Sequence, residues 1–163
     1  MDVKRAWSAL SVVVVVVLVA FLLVQFGYLP APWGEDRAEV RVVGDDGTTK
    51  AVVDADVADT WGERHTGLSE HDSLADGEGM LFVHSSEGDR RYVMREMDFD
   101  IDILFIGADG EITTIRHARA PGPDEDGEDL EYTGRGKWVL EVPRGYVDET
   151  GIEVGDEVQI SYE

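Results

Sequence analysis

Ile101-Asp102-Ile103-Leu104-Phe105-Ile106-Gly107-Ala108-Asp109-Gly110 is a short apolar run that stops at a Gly/Asp turn, and Glu111–Ala118 continues beyond it. Branched and aromatic side chains suit a pleated strand, while the glycines and aspartate allow a tight reversal. The stretch reads as a β-hairpin. The same pattern stands upstream, where Glu39–Val43 and Thr48–Val57 flank Gly44-Asp45-Asp46-Gly47. Gly79–Val83, Arg91–Met94, Trp138–Val142 and Glu157–Tyr162 are further β-like runs. Thr60-Trp61-Gly62-Glu63 fits a capping box that starts a short helix, with Gly67 as its stop. Tyr146–Thr150 reads as a helical turn, and residues 119–136, rich in Pro, Gly and acids, read as an exposed loop. Strands this short and this closely spaced predict a mainly β (α+β) domain. Its antiparallel strands would fold into a compact barrel-like or sandwich form with one short helix.

Ahead of that domain lies a different kind of sequence. No charged residue stands between Lys4-Arg5 and Glu35, and Val12–Val24 is unbroken apolar chain. Ala6 to Phe26 is 21 residues, which as a helix spans roughly 31 Å, close to the hydrocarbon thickness of a bilayer. The expected organisation is an N-terminal anchor over residues 1–29 (transmembrane helix about 6–26), a linker over 30–38 and the β-rich domain over 39–163. Lys4 and Arg5 precede the span and Glu35-Asp36 follow it, so the positive-inside rule puts the N-terminus in the cytoplasm and the domain outside the membrane. A cleaved signal peptide is the competing reading. The apolar region is longer than such peptides usually carry, which favours the uncleaved anchor.

Charge and composition remove several function classes. Taking Lys4 and Arg5 from the 14 basic residues and Asp2 from the 35 acidic ones leaves residues 34–163 with a net charge of −22. That surface repels nucleic acid and anionic lipid. Only three of the basic residues are lysine, a bias that fits a halophilic, haloarchaeal-type protein whose self-repulsion is screened by salt. The acids are interleaved with Val, Ile, Leu and Phe, so they read as the solvated face of a folded domain, not as a disordered tail. Zero cysteines exclude disulfides, thiol catalysis and cysteine metal clusters.

Ala58-Asp59-Thr60, Glu63-Arg64, Gly67-Leu68 and Gly77-Glu78-Gly79-Met80-Leu81-Phe82-Val83 form a connected set with Met94 and Asp102-Ile103-Leu104-Phe105-Ile106. Val139-Leu140-Glu141-Val142-Pro143 and Gly151-Ile152 extend it, and Val154-Gly155-Asp156 closes it. From about Val52 to the C-terminus the chain resembles the domain-of-unknown-function family 192 (DUF-192). That resemblance implies a small β-rich domain, commonly exported or membrane-anchored, with no established biochemical activity. A cysteine frequent in the family is absent at Gly122, so no thiol role carries over.

Three functional readings follow. The favoured one is a binding or interaction module of the cell envelope, with a ligand pocket near Met80, Phe82, Met94 and Asp102. The second is a hydrolase-type enzyme using Asp102 in a cleft with Arg95 or His117. The third is soft-metal (copper) handling by Met80, His84 and Met94, set against the commoner use of methionine as core filler. Asp102 interrupts a buried-looking run; it is expected either to face solvent or to pair with Arg95 or Arg91. His65 and His71 read as ordinary loop histidines. The cluster Asp124–Asp129 has its glycine in the wrong place for an EF-hand. No cofactor motif is present and none is expected.

Overall fold

The computed structural model describes residues 36–163. The expected transmembrane helix and most of the linker lie outside the described residues. Among the described residues no helix is long and apolar enough to cross a membrane. The elements in chain order are β1 (Arg37–Val43), β2 (Thr49–Ala58), α1 (Trp61–Thr66), β3 (Glu78–Val93), β4 (Ile101–Ile106), β5 (Ile112–Ala118), β6 (Glu131–Pro143), α2 (Tyr146–Thr150) and β7 (Glu157–Tyr162).

All seven strands belong to one sheet, in the order β5-β4-β6-β3-β2-β1-β7. Both predicted hairpins form, as β1–β2 and β4–β5. The β2–β3 pair is parallel. Parallel neighbours cannot be joined by a tight turn, and α1 with the loop after it makes the crossover. The two edge strands meet at a single bridge, Glu111 against Glu157, where Val158 N–H donates to the Gly110 carbonyl at 2.8 Å. One bridge is not a ladder. The domain is therefore mainly β, as expected, but it is a single curled sheet that does not close into a barrel, and it carries two short helices where the barrel-like or sandwich reading has one.

Two strands run further than the sequence suggests. Gly79–Val83 and Arg91–Met94 were expected as separate strands, but β3 joins them through Ser85-Ser86-Glu87-Gly88, with its register against β6 shifting between Val83 and Gly88. β6 begins at Glu131, not Trp138, so the last third of the expected loop over residues 119–136 is strand. Glycines disguise it. A Cβ on Gly134 would lie 2.4 Å from the ring of Phe105, and one on Gly136 within 3.1 Å of Ile106 backbone. These positions are glycine because β4 and its phenylalanine pack directly on them.

Period-2 alternation divides the apolar residues between the two sheet faces. Inside the curl, Val40, Val53, Leu81, Leu104, Ile112, Leu140 and Val158 form one cluster to which every strand contributes. On the other face Met80, Phe82, Met94, Ile103, Phe105 and Val139 form a second, with Leu68 and Met97 over them. β4 is buried at all six positions because it is covered on both sides. Its second residue, Asp102, is 0% exposed. The solvent-facing reading of Asp102 is thereby corrected: the side alternating away from Ile101 and Ile103 is the interior of the curl.

Candidate functional site

A cavity of about 380 Å³ opens on the outer cluster, between α1, β3 and the segment 94–97. Each wall has a local cause. Thr60 caps α1, accepting from Glu63 N–H at 3.3 Å while the Glu63 carboxylate accepts from Thr60 N–H at 2.9 Å. This capping box fixes the start of the helix. Gly67 ends it with φ of 51°, and a Cβ there would meet the Phe82 ring at 3.3 Å. Arg64 is thus held over β3, where its guanidinium donates to the Val83 carbonyl at 3.0 Å and also to the Asp59 carbonyl. From β3, Arg90 donates through Nε to the Gly136 carbonyl at 3.0 Å. Neither Arg64 nor Arg90 has a carboxylate partner among the described residues, whereas Arg91 pairs with Glu131, and Arg95 with Glu128 at 3.1 Å.

The aromatic wall is equally fixed. Tyr92 stands edge-on to Phe82 at 5.1 Å and to Phe105 at 6.0 Å. Its hydroxyl lies 3.0 Å from His84 Nε2. Burial lowers the His84 pKa to about 4, with Arg90 and Arg64 adding to the effect, so the imidazole is neutral at physiological pH. Burial, and then the charge of Glu141, raises the Tyr92 pKa. The phenol keeps its proton.

Glu141 is the one ionisable lining residue that is buried, at 5% exposure. It sits on β6 between Met80 of β3 and Ile103 of β4. Among the described residues its carboxyl has no hydrogen-bond or ion-pair partner. Burial pushes its pKa up to about 8. A titratable group displaced this far in a cleft is a functional-site candidate in its own right.

Asp102 belongs to a different place. It projects from the opposite face of β4 and does not line this cavity. Its carboxylate accepts from His117 Nδ1 at 2.8 Å, Arg144 Nη1 at 3.0 Å, Gly145 N–H at 2.9 Å and Val147 N–H at 3.3 Å. α2 has no side-chain cap from Gly145 at its own N-cap position. Asp102 supplies that cap from β4, and its contacts to the Gly145 and Val147 N–H groups hold the start of α2 against the inner core. The expected partners Arg95 and Arg91 are engaged elsewhere, and Arg144 takes their place.

Of the expected pocket residues, Phe82 and Met94 line the cavity, Met80 packs in the cluster behind it, and Asp102 lies apart. His84 and Met94 share the cavity wall without Met80, so the expected copper ligands are not gathered at one surface. Among the described residues no three His, Asp or Glu side chains gather as metal ligands. The Asp124–Asp129 stretch is a turn in which Asp126 accepts from Glu128 N–H at 2.9 Å. Sequence reading missed Glu141, Tyr92, Arg64 and Arg90. The signal for Glu141 is the lone acid in Val139-Leu140-Glu141-Val142, the same interruption that Asp102 makes in Ile101–Ile106.

The fold recurs in known proteins. A crystal structure from Novosphingobium aromaticivorans, of a protein of unknown function, has 29% identity and a TM-score of 0.67, covering 80% of this chain and 91% of its own. A second, described as a proposed transcription regulator of Sinorhizobium meliloti, has 26% identity and a TM-score of 0.68, covering 76% of this chain and 92% of its own. No curated protein matches the chain. The family pattern of DUF192, described as Uncharacterized ACR, matches residues 42–160, and the chain belongs to that family.

Proposed function

We propose that the domain is a binding module whose cavity holds a small organic anion with an apolar body. One observation carries this reading: Arg64 and Arg90 line the cavity without an acidic partner among the described residues, in a chain that has 35 acids to 14 bases. Where carboxylates are in such excess, a free guanidinium is the exception. Both are anchored by backbone carbonyls, so their charge is pre-positioned at little further entropic cost. Phe82, Tyr92, Met94 and Met97 provide the apolar surface.

The net charge of −21 opposes an approaching anion. At physiological ionic strength the screening length is about 8 Å, so that repulsion fades over distance while direct arginine contacts persist. The same charge weighs against a nucleic-acid partner for this chain. A hydrolase built on Asp102 has little support, since that carboxylate is committed to four donors. The surface charge suits a high-salt environment, where the cavity contacts would work against stronger screening.

Titration of the full chain in detergent with hexanoate and benzoate tests the reading. Saturable binding is expected, weakened roughly tenfold by Arg64→Gln or Arg90→Gln, the usual scale of a hydrogen bond to a charged group. Arg119→Gln, which breaks a pair with Glu125 away from the cavity, leaves the affinity unchanged. Equal binding by all three variants would remove the arginines from the account.

The module is further proposed to be displayed outside the membrane on the Ala6–Phe26 anchor, a reading supported by the uncharged run and the charges that flank it. Protease added to intact cells should then remove the domain and leave the N-terminus protected. Protection of the domain would reverse the orientation.

A further inference from the structure

We propose that Glu141 selects the ligand by hydrogen-bonding a hydroxyl or amide group at the end remote from the anion, so that the cavity prefers hydroxy- or amido-substituted organic acids to plain ones. The proposal rests on the organic-anion reading above and names the substrate class of the same cavity.

Four observations lead to it. Glu141 is 5% exposed and flanked on the sheet by Met80 and Ile103, so strand neighbours offer it nothing polar. No donor or acceptor among the described residues engages its carboxyl, which is therefore uncommitted where it meets the cavity. The cavity is where a partner can come from, because Glu141 lines it and the walls beside it, Phe82, Met94 and Ile101, are apolar. Glu141 stands opposite Met80 on the sheet, whereas Arg64 is anchored at the Val83 carbonyl, three residues further along β3, and Arg90 at the Gly136 carbonyl, five residues away along β6, which separates the cationic end of the cavity from the acid end.

The protonation state completes the match. With its pKa near 8 the carboxyl is neutral at pH 7 and presents one O–H donor and one carbonyl acceptor. A hydroxyl or an amide satisfies both. An ammonium group is a poorer fit, since it would need the ionised carboxylate in a cavity already lined by Arg64 and Arg90.

Matched probes test this on the full chain in detergent at pH 7: hexanoate against 6-hydroxyhexanoate. Wild type is expected to bind the hydroxy acid at least roughly tenfold more tightly, the scale of one buried hydrogen bond to an otherwise unpaired group. Glu141→Met, an apolar match in length, should abolish that preference while hexanoate binds as well as before. Glu141→Gln, which keeps a donor and an acceptor and preserves shape, should retain the preference to within a few-fold. Equal binding of the two acids by wild type overturns the selection role while the organic-anion reading stands. Survival of the preference in Glu141→Met also overturns it. If wild type binds neither acid, both readings fall together.

Discussion

Glu141→Gln should stabilise the protein by roughly 5 kcal/mol at pH 9 and change it little at pH 5. The displacement of the Glu141 carboxyl from 4.5 in the unfolded chain to about 8 in the folded one sets this result. Each unit of displacement corresponds to about 1.4 kcal/mol. Between those values the folded chain holds a proton that the unfolded chain has released. Stability is therefore fully present below about pH 4.5, falls as pH rises from there toward 8, and carries the whole penalty above 8. Glutamine does not titrate and has the same shape, so only the alkaline arm responds. Urea unfolding of both proteins at pH 5, 7 and 9 checks it, and a difference independent of pH would mean that the carboxyl is solvated.

Asp102→Ala should cost about 3 kcal/mol or more, since it leaves the N-terminus of α2 without an acceptor and strands two backbone donors near the core. Arg144 and His117 are each about 40% exposed and can turn to water, whereas Val147 is buried. Asp102→Asn keeps one carbonyl for the helix and should lose less than the alanine variant. His117→Ala removes one exposed donor and should cost under about 1 kcal/mol. Thermal unfolding ranks the three. A catalytic Asp102 would give a different pattern, in which asparagine abolished an activity without loss of stability.

How far the sequence reveals this molecule depends on the range of the forces involved. The hairpins at Gly44–Gly47 and Gly107–Gly110 and the capping box at Thr60–Glu63 are set by residues within a few positions of one another, and all three form as expected. The long continuations of β3 and β6 are set by distant partners. Ser85–Gly88 and Gly134–Gly136 have poor strand propensity, and they are extended because Phe105 and the facing strand require it. Asp102 and Glu141 look alike in sequence, each a lone acid in an apolar strand. Their fates differ by sheet face: Asp102 meets the start of α2 inside the curl, and Glu141 meets an open cavity outside it. Arg144, directly after Pro143, was the partner to seek for Asp102, but only the β4–β6 pairing brings it near.

The organic-anion cavity is the central claim, and methionine methyl resonances report on it directly. Met94 and Met97 line the cavity, while Met80 packs in the same cluster without lining it. In the full chain labelled with ¹³C at the methionine methyls, hexanoate should shift Met94 and Met97 saturably and leave Met80 nearly unmoved. The Arg64→Gln variant should require roughly tenfold more hexanoate for the same shifts. Saturable binding that leaves Met94 and Met97 unmoved, or titration to millimolar hexanoate with no shift at all, would contradict the cavity as the binding site.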